Sequence, residues 1–170
     1  YVGPRKGMRR RRTRNSREKF LSAQRPETAE RMQYHVHLRE GEVAPYVLLP
    51  GDPDRVKAIA SFWDESRFLG HHREYNSYTG KYRGVSISSV STGIGAPAAA
   101  IAVEELANIG ARTFIRVGST GAIQRDMRCG DLVITTGAVR HEGTSKEYVN
   151  VEYPAAASHD VVLALIQACE

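Results

Sequence analysis

The 170-residue sequence has few of the features that mark secreted, disulfide-rich or membrane-spanning proteins. It holds two cysteines, Cys129 and Cys169, whose separation suits neither a metal site nor a disulfide framework. No apolar run is long enough to cross a bilayer, which excludes a transmembrane helix. The remaining composition, 25% charged and 41% hydrophobic, is that of a globular protein of about one domain. We therefore expect a cytoplasmic protein that does not act at membranes.

Acidic residues are also scarce at the N-terminus. Residues 1–20 contain nine Lys and Arg but a single acid, Glu18, a net charge of +8, whereas the remainder of the chain carries −3. We expect residues 1–33 to be a basic, disordered extension. It could contact nucleic acid or an acidic partner, serve as an Arg-rich transit peptide, or have no specific role. The internal Met8 also fits an extended or mis-assigned start.

From residue 34 onward, strand patterns alternate with helix patterns. We predict an edge strand or extended arm at 34–38, further strands at 46–50, 72–79, 84–91, 113–117 and 131–140, and helices at 54–62, 97–109 and 159–168. The residues at 80–84 are predicted to close a hairpin. This alternation indicates an α/β layered domain over residues 34–170. No strand follows the last helix, so the domain looks incomplete.

The entrance to the first predicted helix has the features of an anion site. Asp52 is a suitable N-cap, Pro53 suits the first turn, and Gly51 allows a ligand close to the backbone. Arg55 lies at the positive end of the helix dipole, where a cation is unfavourable unless an anion is bound. The alternative is an ordinary helix start with a solvated arginine.

Arg116 interrupts an otherwise apolar strand and needs an anionic partner if it is buried. Three acids of the chain are candidate partners: Glu104, Glu105 and Asp131. The other possibility is a bound ligand, because ligands bind at the carboxyl ends of strands in open α/β sheets. Ser119 and Thr120 would then supply hydroxyl and N–H groups in the glycine-flanked turn that follows.

The sequence Gly93-Ile94-Gly95-Ala96-Pro97-Ala98 fits a dinucleotide-binding pattern, but the pattern is incomplete. The fingerprint also requires an acid near the end of the next strand, to hold a ribose hydroxyl, and that strand ends in Arg116-Val117-Gly118. We therefore do not expect a nicotinamide cofactor. The segment His71–Glu74 is a weaker candidate, in which Arg73 and Glu74 would point to different faces.

Four stretches together closely resemble the nucleoside phosphorylase superfamily, and its uridine phosphorylase branch in particular. They are LLPGDPDRV, HHREYNSYTG, VSTGIGAPAAAIAVEELANIGARTFIRVGSTGAI and GDLVITTGAVRHEGTSKEYVNVEYPA. The resemblance implies a mixed, strongly twisted central sheet flanked by helices, and it covers about the first half of a typical member. The base-binding segments, the Met-Glu pair that holds the ribose hydroxyls and the closing loop belong to the other half.

The resemblance also implies roles for individual residues. Phosphate would be held by Gly51, Arg55, Arg116, Val117, Gly118 and Ser119, with Arg73 reaching in from a neighbouring subunit. The nucleoside would contact Thr120 and Gly121, and His35 would reach the 5′-hydroxyl of the nucleoside next door. Glu74 and the Ile94 carbonyl would hold a monovalent cation such as potassium, although Ala98 replaces the usual serine ligand.

The implied reaction is the reversible phosphorolysis of uridine to uracil and ribose 1-phosphate, with Arg116 positioning phosphate and stabilising the transition state. No cofactor is expected, and the implied assembly is a homodimer or higher homo-oligomer with shared sites. Activity would be impaired if the base-binding half is absent. The alternative is a non-catalytic fragment or binding module whose Arg-rich tail contacts nucleic acid or an acidic partner.

Overall fold

The computed structural model describes residues 32–170, so the extension predicted at 1–33 falls outside the described residues up to residue 31. The principal elements follow in chain order: β1 (Tyr46–Pro50), α1 (Pro53–Ala60), β2 (Glu65–His72), β3 (Tyr75–Tyr82), β4 (Val85–Val90), α2 (Ala96–Asn108), β5 (Thr113–Val117), β6 (Gly137–Ala138), α3 (Thr144–Tyr148), β7 (Ala155–Ala156) and α4 (His159–Cys169).

Five strands form one mixed sheet in the order β2-β3-β4-β1-β5. β1 is parallel to both β4 and β5, whereas β2, β3 and β4 form an antiparallel meander. The register aligns Leu49 with Arg116 and Pro50 with Val117, so β1 and β5 end side by side. The predicted fold class, a mixed twisted sheet flanked by helices, is confirmed.

α1 begins where the local sequence places its signals. The Asp52 side chain accepts a hydrogen bond from the Asp54 N–H at 2.9 Å, and Pro53 occupies the first turn without loss of a hydrogen bond. Val56 and Ala60 are buried, one helical turn apart, where α1 packs on β3 and β4. Capping and packing together fix the direction of the helix at the end of β1.

The main core lies between the sheet and α2. Ala102 and Leu106 of α2 are fully buried in a cluster with residues of the sheet and of the segment before β1: Val36, Leu38, Val47, Leu49, Tyr75, Val90, Ile109 and Ala111. Removing the leucine side chain of residue 106 would cost about 2–5 kcal/mol at such a site. This packing holds the residues before β1 against α2.

Two of the predicted strands differ from the structure, and one observed strand was not predicted. Residues 34–38 form a turn, not an edge strand, with the His37 N–H bonded to the Gln33 carbonyl. β2 was missed, because ESRFLGHH is an edge strand exposed along most of its length and shows no alternation. Of 131–140, only Gly137 and Ala138 pair, because β7 offers just two partner residues. The predicted hairpin is confirmed, with a turn at 83–84.

Arg140 organises the loop that surrounds α3. Its guanidinium donates to the Ser145 hydroxyl at 3.0 Å and to the carbonyl oxygens of Ser145 and Val149 at 2.6 and 2.7 Å. It also donates to the carbonyls of Asn150 and Tyr153. One side chain therefore satisfies four backbone acceptors across a loop that has little regular structure.

Many large apolar side chains between residues 123 and 166 remain exposed. They include Ile123, Leu132, Val139 and Tyr153, each more than 60% accessible. Across residues 32–170, no helix combines the length and apolar character needed to span a membrane. Cys129 and Cys169 are both exposed free thiols.

Candidate functional site

A cleft of about 700 Å³ opens at the carboxyl ends of β1 and β5. It is lined by residues from four segments of the chain: Gly51, Asp52, Pro53, Arg55, Glu74, Gly93, Ile94, Gly95 and Arg116. The helix entrance predicted as an anion site and Arg116 therefore face the same space. Among the predicted site residues, this cleft brings together Gly51, Arg55, Arg116, Glu74 and Ile94.

Arg116 is held by backbone carbonyls rather than by a carboxylate. Its Nη1 donates to the Leu49 carbonyl at 3.0 Å and to its neighbour Val117 at 2.6 Å. Arg116 is exposed, because it lies at the end of β5, an edge strand of the described sheet, so the condition under which it would need an anionic partner is not met. The remaining N–H groups of the guanidinium are left for a ligand.

None of the three acids considered as partners contacts Arg116 in the described part of the chain. Glu105 binds His35, Asp131 accepts from the Arg128 N–H, and Glu104 lies near Tyr148. Burial, followed by the nearby charge of Glu104, raises the pKa of the Tyr148 hydroxyl. Within residues 32–170, Arg116 therefore has no carboxylate partner.

Gly51 and Gly118 make room for the Arg116 guanidinium. A Cβ atom at Gly51 would lie 3.1 Å from Nη2 of Arg116 and 3.3 Å from the Gly93 carbonyl oxygen. At Gly118 it would lie 3.3 Å from Nη1. Both distances are tight for a side-chain carbon, so glycine at the two strand ends lets the guanidinium lie directly on the backbone.

Arg55 lines the cleft from the first turn of α1. Its Nε lies 4.0 Å from Oδ2 of Asp52, and both side chains are about half exposed. A pair this long and this exposed contributes little to stability. The guanidinium can therefore turn toward an anion at the helix N-terminus, where the dipole and the first N–H groups also favour negative charge.

Glu74 closes the cleft from the β2–β3 turn. Its side chain packs on Gly93, where φ is +66° and an added Cβ would approach the Glu74 Cβ to 2.7 Å. Ile94 is 99% exposed. The adjacent Tyr75 hydroxyl donates to the Ala98 carbonyl, and burial, followed by the charge of Glu74, raises the pKa of Tyr75 to about 12.

The segment that follows Arg116 continues from β5 past the cleft. Val117 contributes its carbonyl to Arg116, whereas Gly118, Ser119, Thr120 and Gly121 are exposed. Ser119 is not among the residues that line the cleft, and the Thr120 hydroxyl contacts the Gly121 carbonyl. The roles predicted for Ser119, Thr120 and Gly121 remain predictions.

Arg73 and His35 lie outside the cleft of their own chain and close to each other. The Arg73 guanidinium lies 5.9 Å from the centre of the Tyr34 ring, and that ring meets the His35 ring edge to face at 4.9 Å. Arg73 has a positive φ of 56° in the two-residue turn between β2 and β3. The two side chains predicted to reach a neighbouring subunit therefore share one surface.

Glu105, which local sequence patterns did not single out as a site residue, fixes the backbone and ring of His35. Its carboxylate accepts from the N–H groups of His35 and Val36 at 2.9 and 2.8 Å and contacts Nδ1 of His35 at 2.6 Å. Burial by itself raises the pKa of Glu105, but these hydrogen bonds outweigh it and hold the pKa below its usual value. The partners are 70 residues apart in sequence, so no local spacing could reveal them.

Two further histidines support the same turn. Nδ1 of His72 contacts the His35 carbonyl at 2.8 Å, and the His37 and His72 rings stack 3.6 Å apart and nearly parallel. No group of three or more metal-ligating side chains occurs between residues 32 and 170. The histidine-rich segments thus serve to position the chain before β1.

The fold and cleft together define an α/β protein with an arginine-lined cleft at the carboxyl ends of parallel strands. Residues 45–170 match the family described as the phosphorylase superfamily. The chain belongs to that superfamily.

Similar proteins include several uridine phosphorylases. The chain is 65% identical over 153 residues to one from Thermococcus kodakarensis and 49% identical over 138 residues to one from Treponema pallidum. These matches cover 90% and 81% of this chain but 55% and 54% of the relatives. The chain thus spans about half the length of the curated relatives it matches.

Similar proteins also include enzymes named for purine nucleosides. A guanosine phosphorylase from Halorubrum lacusprofundi is 47% identical over 138 residues, with 81% of this chain and 57% of the relative covered. Crystal structures of a Vibrio fischeri uridine phosphorylase and a Toxoplasma gondii purine nucleoside phosphorylase both superpose with a TM-score of 0.79, at 43% and 34% identity. They cover 84% and 81% of this chain and 60% and 56% of the solved chains.

Proposed function

We propose that this chain supplies the phosphate-binding half of a nucleoside phosphorylase site and that the reaction is the reversible phosphorolysis of uridine. The observation that carries the proposal is the placement of Arg116. Its guanidinium lies on Gly51 beside the N-terminus of α1, has no carboxylate partner among the described residues, and shares a cleft with Arg55. This is the chemistry that a tetrahedral oxyanion requires.

Phosphate is the nucleophile of the proposed reaction, so the protein need not supply one. Arg55 and Arg116 would hold phosphate beneath the sugar and orient one oxygen toward the anomeric carbon. As the glycosidic bond breaks, positive charge develops on the sugar, and the clamped phosphate stabilises it from one face. The uracil leaves with the bonding electrons, and ribose 1-phosphate is released.

The proposed site is shared between subunits of a homodimer or larger homo-oligomer. Neither Arg73 nor His35 lines the cleft of its own chain, and both lie next to the Tyr34 ring, which suits contribution to a neighbour's site. In that assembly Arg73 would add a third guanidinium to phosphate, and His35 would meet the 5′-hydroxyl of the nucleoside. Val117, Gly118, Ser119, Thr120 and Gly121 would line the phosphate and base from the end of β5.

Uridine is the proposed substrate because uridine phosphorylases are prominent among the similar proteins. The similar guanosine phosphorylase is 47% identical over 138 residues, close to the 49% of the Treponema pallidum uridine phosphorylase. The two strand ends that line the cleft recognise phosphate, which every nucleoside phosphorolysis uses, so they carry no information on the base. Uridine and guanosine should therefore be assayed together.

A monovalent cation such as potassium is a further proposed component, held by the Glu74 carboxylate and the Ile94 carbonyl. Both residues line the cleft, and Glu74 has no ion-pair partner within residues 32–170. Ala98 supplies no hydroxyl, so one chain offers few oxygen ligands. The corresponding oxygens of a second subunit would have to complete the coordination.

The decisive experiment compares phosphate binding by wild type, Arg116→Ala and the matched control Arg112→Ala. Arg112 is also exposed but precedes β5, at the amino end of the strand that carries Arg116 near its carboxyl end. We expect Arg116→Ala to weaken phosphate binding, followed by ³¹P NMR, at least about tenfold, because charged hydrogen bonds contribute roughly 1.5–3 kcal/mol. Where phosphate-dependent release of uracil is measurable, the same variant should lower it about 100-fold.

Equal phosphate affinity for wild type and Arg116→Ala would contradict the site. The alternative function, a binding module acting through the Arg-rich tail, concerns residues 1–20, which lie outside the described residues. Salt-dependent binding of nucleic acid that is lost on deletion of residues 1–20, together with no phosphate binding, would favour that alternative.

A further inference from the structure

The strongest polar constellation outside the cleft joins Glu105 of α2 to the turn at residues 34–36. Both carboxylate oxygens are used: Oε1 contacts the His35 ring, and Oε2 accepts from the backbone of His35 and Val36. The Glu105 side chain is 13% exposed and the His35 side chain 30%. Burial of the Glu105 carboxylate removes most of its hydrating water, so hydrogen-bond donors of the protein must take the place of that water.

The chemistry of Glu105 determines which nitrogen of His35 carries the proton. An ionised carboxylate only accepts hydrogen bonds, so Nδ1 of His35 must donate to it across the 2.6 Å contact. The backbone of His35 cannot shift to relieve this arrangement, because its N–H is bonded to Glu105 and its carbonyl to His72. In the neutral ring, Nε2 is then left with a lone pair.

Nε2 of His35 is the nitrogen available to a ligand. No residue between 32 and 170 forms a hydrogen bond to it, and the ring is partly exposed beside Tyr34 and Arg73. Whenever the ring is neutral, Nε2 is an acceptor and favours a group that brings its own proton. A hydroxyl does so, whereas a methyl or hydrogen substituent offers nothing and a phosphate ester offers only acceptors.

We propose that Glu105 is a positioning residue that holds His35 in its Nδ1–H tautomer, and that Nε2 thereby selects nucleosides whose 5′-group can donate a hydrogen bond. The proposal rests on the proposed function for the role of His35 as a nucleoside contact. It adds a specificity rule: a nucleoside with a 5′-hydroxyl is preferred over its 5′-deoxy analogue. The assignment of the tautomer follows from this chain alone.

The tautomer is tested by NMR of the full chain labelled with ¹⁵N-histidine, with the His35 signals assigned by their loss in His35→Gln. We expect wild type to show protonated Nδ1 and unprotonated Nε2. Glu105→Gln should lose this preference, and Glu105→Asp, which retains a carboxylate, should keep it if the chain is folded. The matched control is Glu104→Gln, which removes the same charge from the adjacent position of α2 and should leave the His35 signals unchanged.

Selectivity is tested by titrating phosphate-saturated protein with uridine and with 5′-deoxyuridine while the Nε2 signal is followed. Loss of one neutral hydrogen bond corresponds to an expected preference for uridine of roughly two- to tenfold. The preference should persist in Glu104→Gln and fall toward equality in Glu105→Gln. A protonated Nε2 in wild type, or an unchanged tautomer in Glu105→Gln, would overturn the positioning role.

Equal binding of the two nucleosides, or an Nε2 signal that responds to neither, would overturn the selectivity. Failure of the proposed function has a different signature. In that case phosphate does not bind at Arg116, whereas the tautomer of His35 still depends on Glu105. If phosphate binds but Nδ1 of His35 is not protonated, the proposed function is unaffected and only the inference about Glu105 is wrong.

Discussion

Replacing Gly51 with alanine should weaken phosphate binding while leaving the fold intact. The added Cβ would lie 3.1 Å from Nη2 of Arg116 and 3.3 Å from the Gly93 carbonyl oxygen, closer than side-chain carbons ordinarily approach. The carbonyl belongs to a backbone that is itself bonded to Gly51, so it cannot easily yield. The guanidinium must move instead, by a few tenths of an ångström or more.

The size of the effect follows from what holds Arg116. Its Nη1 donates hydrogen bonds to the Leu49 and Val117 carbonyls. Displacing Nη2 therefore either strains these hydrogen bonds or turns the guanidinium away from the cleft. Loss of one charged hydrogen bond to phosphate costs about 1.5 kcal/mol or more, which is roughly a tenfold loss of affinity. Stability should change by less than about 1 kcal/mol, because Gly51 does not have a positive φ and alanine restricts the unfolded chain.

Calorimetric titration with inorganic phosphate, together with thermal unfolding, measures both quantities. The matched control is Gly70→Ala, because a Cβ at Gly70 meets nothing within 4 Å and the backbone there is also free of a positive φ. The control should bind phosphate as wild type does. If Gly51→Ala also binds phosphate with wild-type affinity, the Arg116 guanidinium does not bind phosphate from its position against Gly51, and the proposed phosphate site in the cleft is wrong.

Three further changes test other parts of the structure. Gly93→Ala should destabilise the fold by about 1–3 kcal/mol in urea unfolding, because φ is +66° and the new Cβ meets Glu74 at 2.7 Å; an unchanged midpoint would refute this. Arg140→Met should leave several loop carbonyls without a partner and speed proteolysis near residues 144–153, at a cost of about 1–3 kcal/mol; equal cleavage rates would contradict it. Because the folded-state pKa of Glu105 lies below the ordinary 4.5, its contribution is present above that value and declines as pH falls through the folded-state pKa. The stability difference between wild type and Glu105→Gln, measured by urea unfolding against pH, should therefore shrink in acid, and a constant difference would count against the charged hydrogen bonds.

Local signals predicted the elements that frame the cleft. Asp52 and Pro53 define a helix start through contacts within three residues, and β1 and β5 are short apolar runs, so both were visible in the sequence. The pairing of these strands places their carboxyl ends together, which brought Arg55 and Arg116 to one cleft. Where the determinant was local, the prediction and the structure agree.

Tertiary contacts account for what the sequence did not predict. The sequence left open whether Arg116 pairs with an acid or binds a ligand, and it could not show that the side chain lies exposed at the end of an edge strand and donates to backbone carbonyls, which carry no sequence signature. Residues 34–38 alternate like a strand, yet Glu105 of a distant helix binds their N–H groups and holds them in a turn. In both cases the deciding partner is a backbone group or a residue far away in the chain.

The position of Arg73 and His35 on a surface outside their own cleft has a genetic consequence. If each site draws these two side chains from a neighbour, a chain damaged at Arg116 and a chain damaged at Arg73 are defective in different halves of the site. Random pairing of the two in a dimer would restore both sets of residues in about a quarter of the sites. Two inactive alleles could then rescue one another when expressed in the same cell.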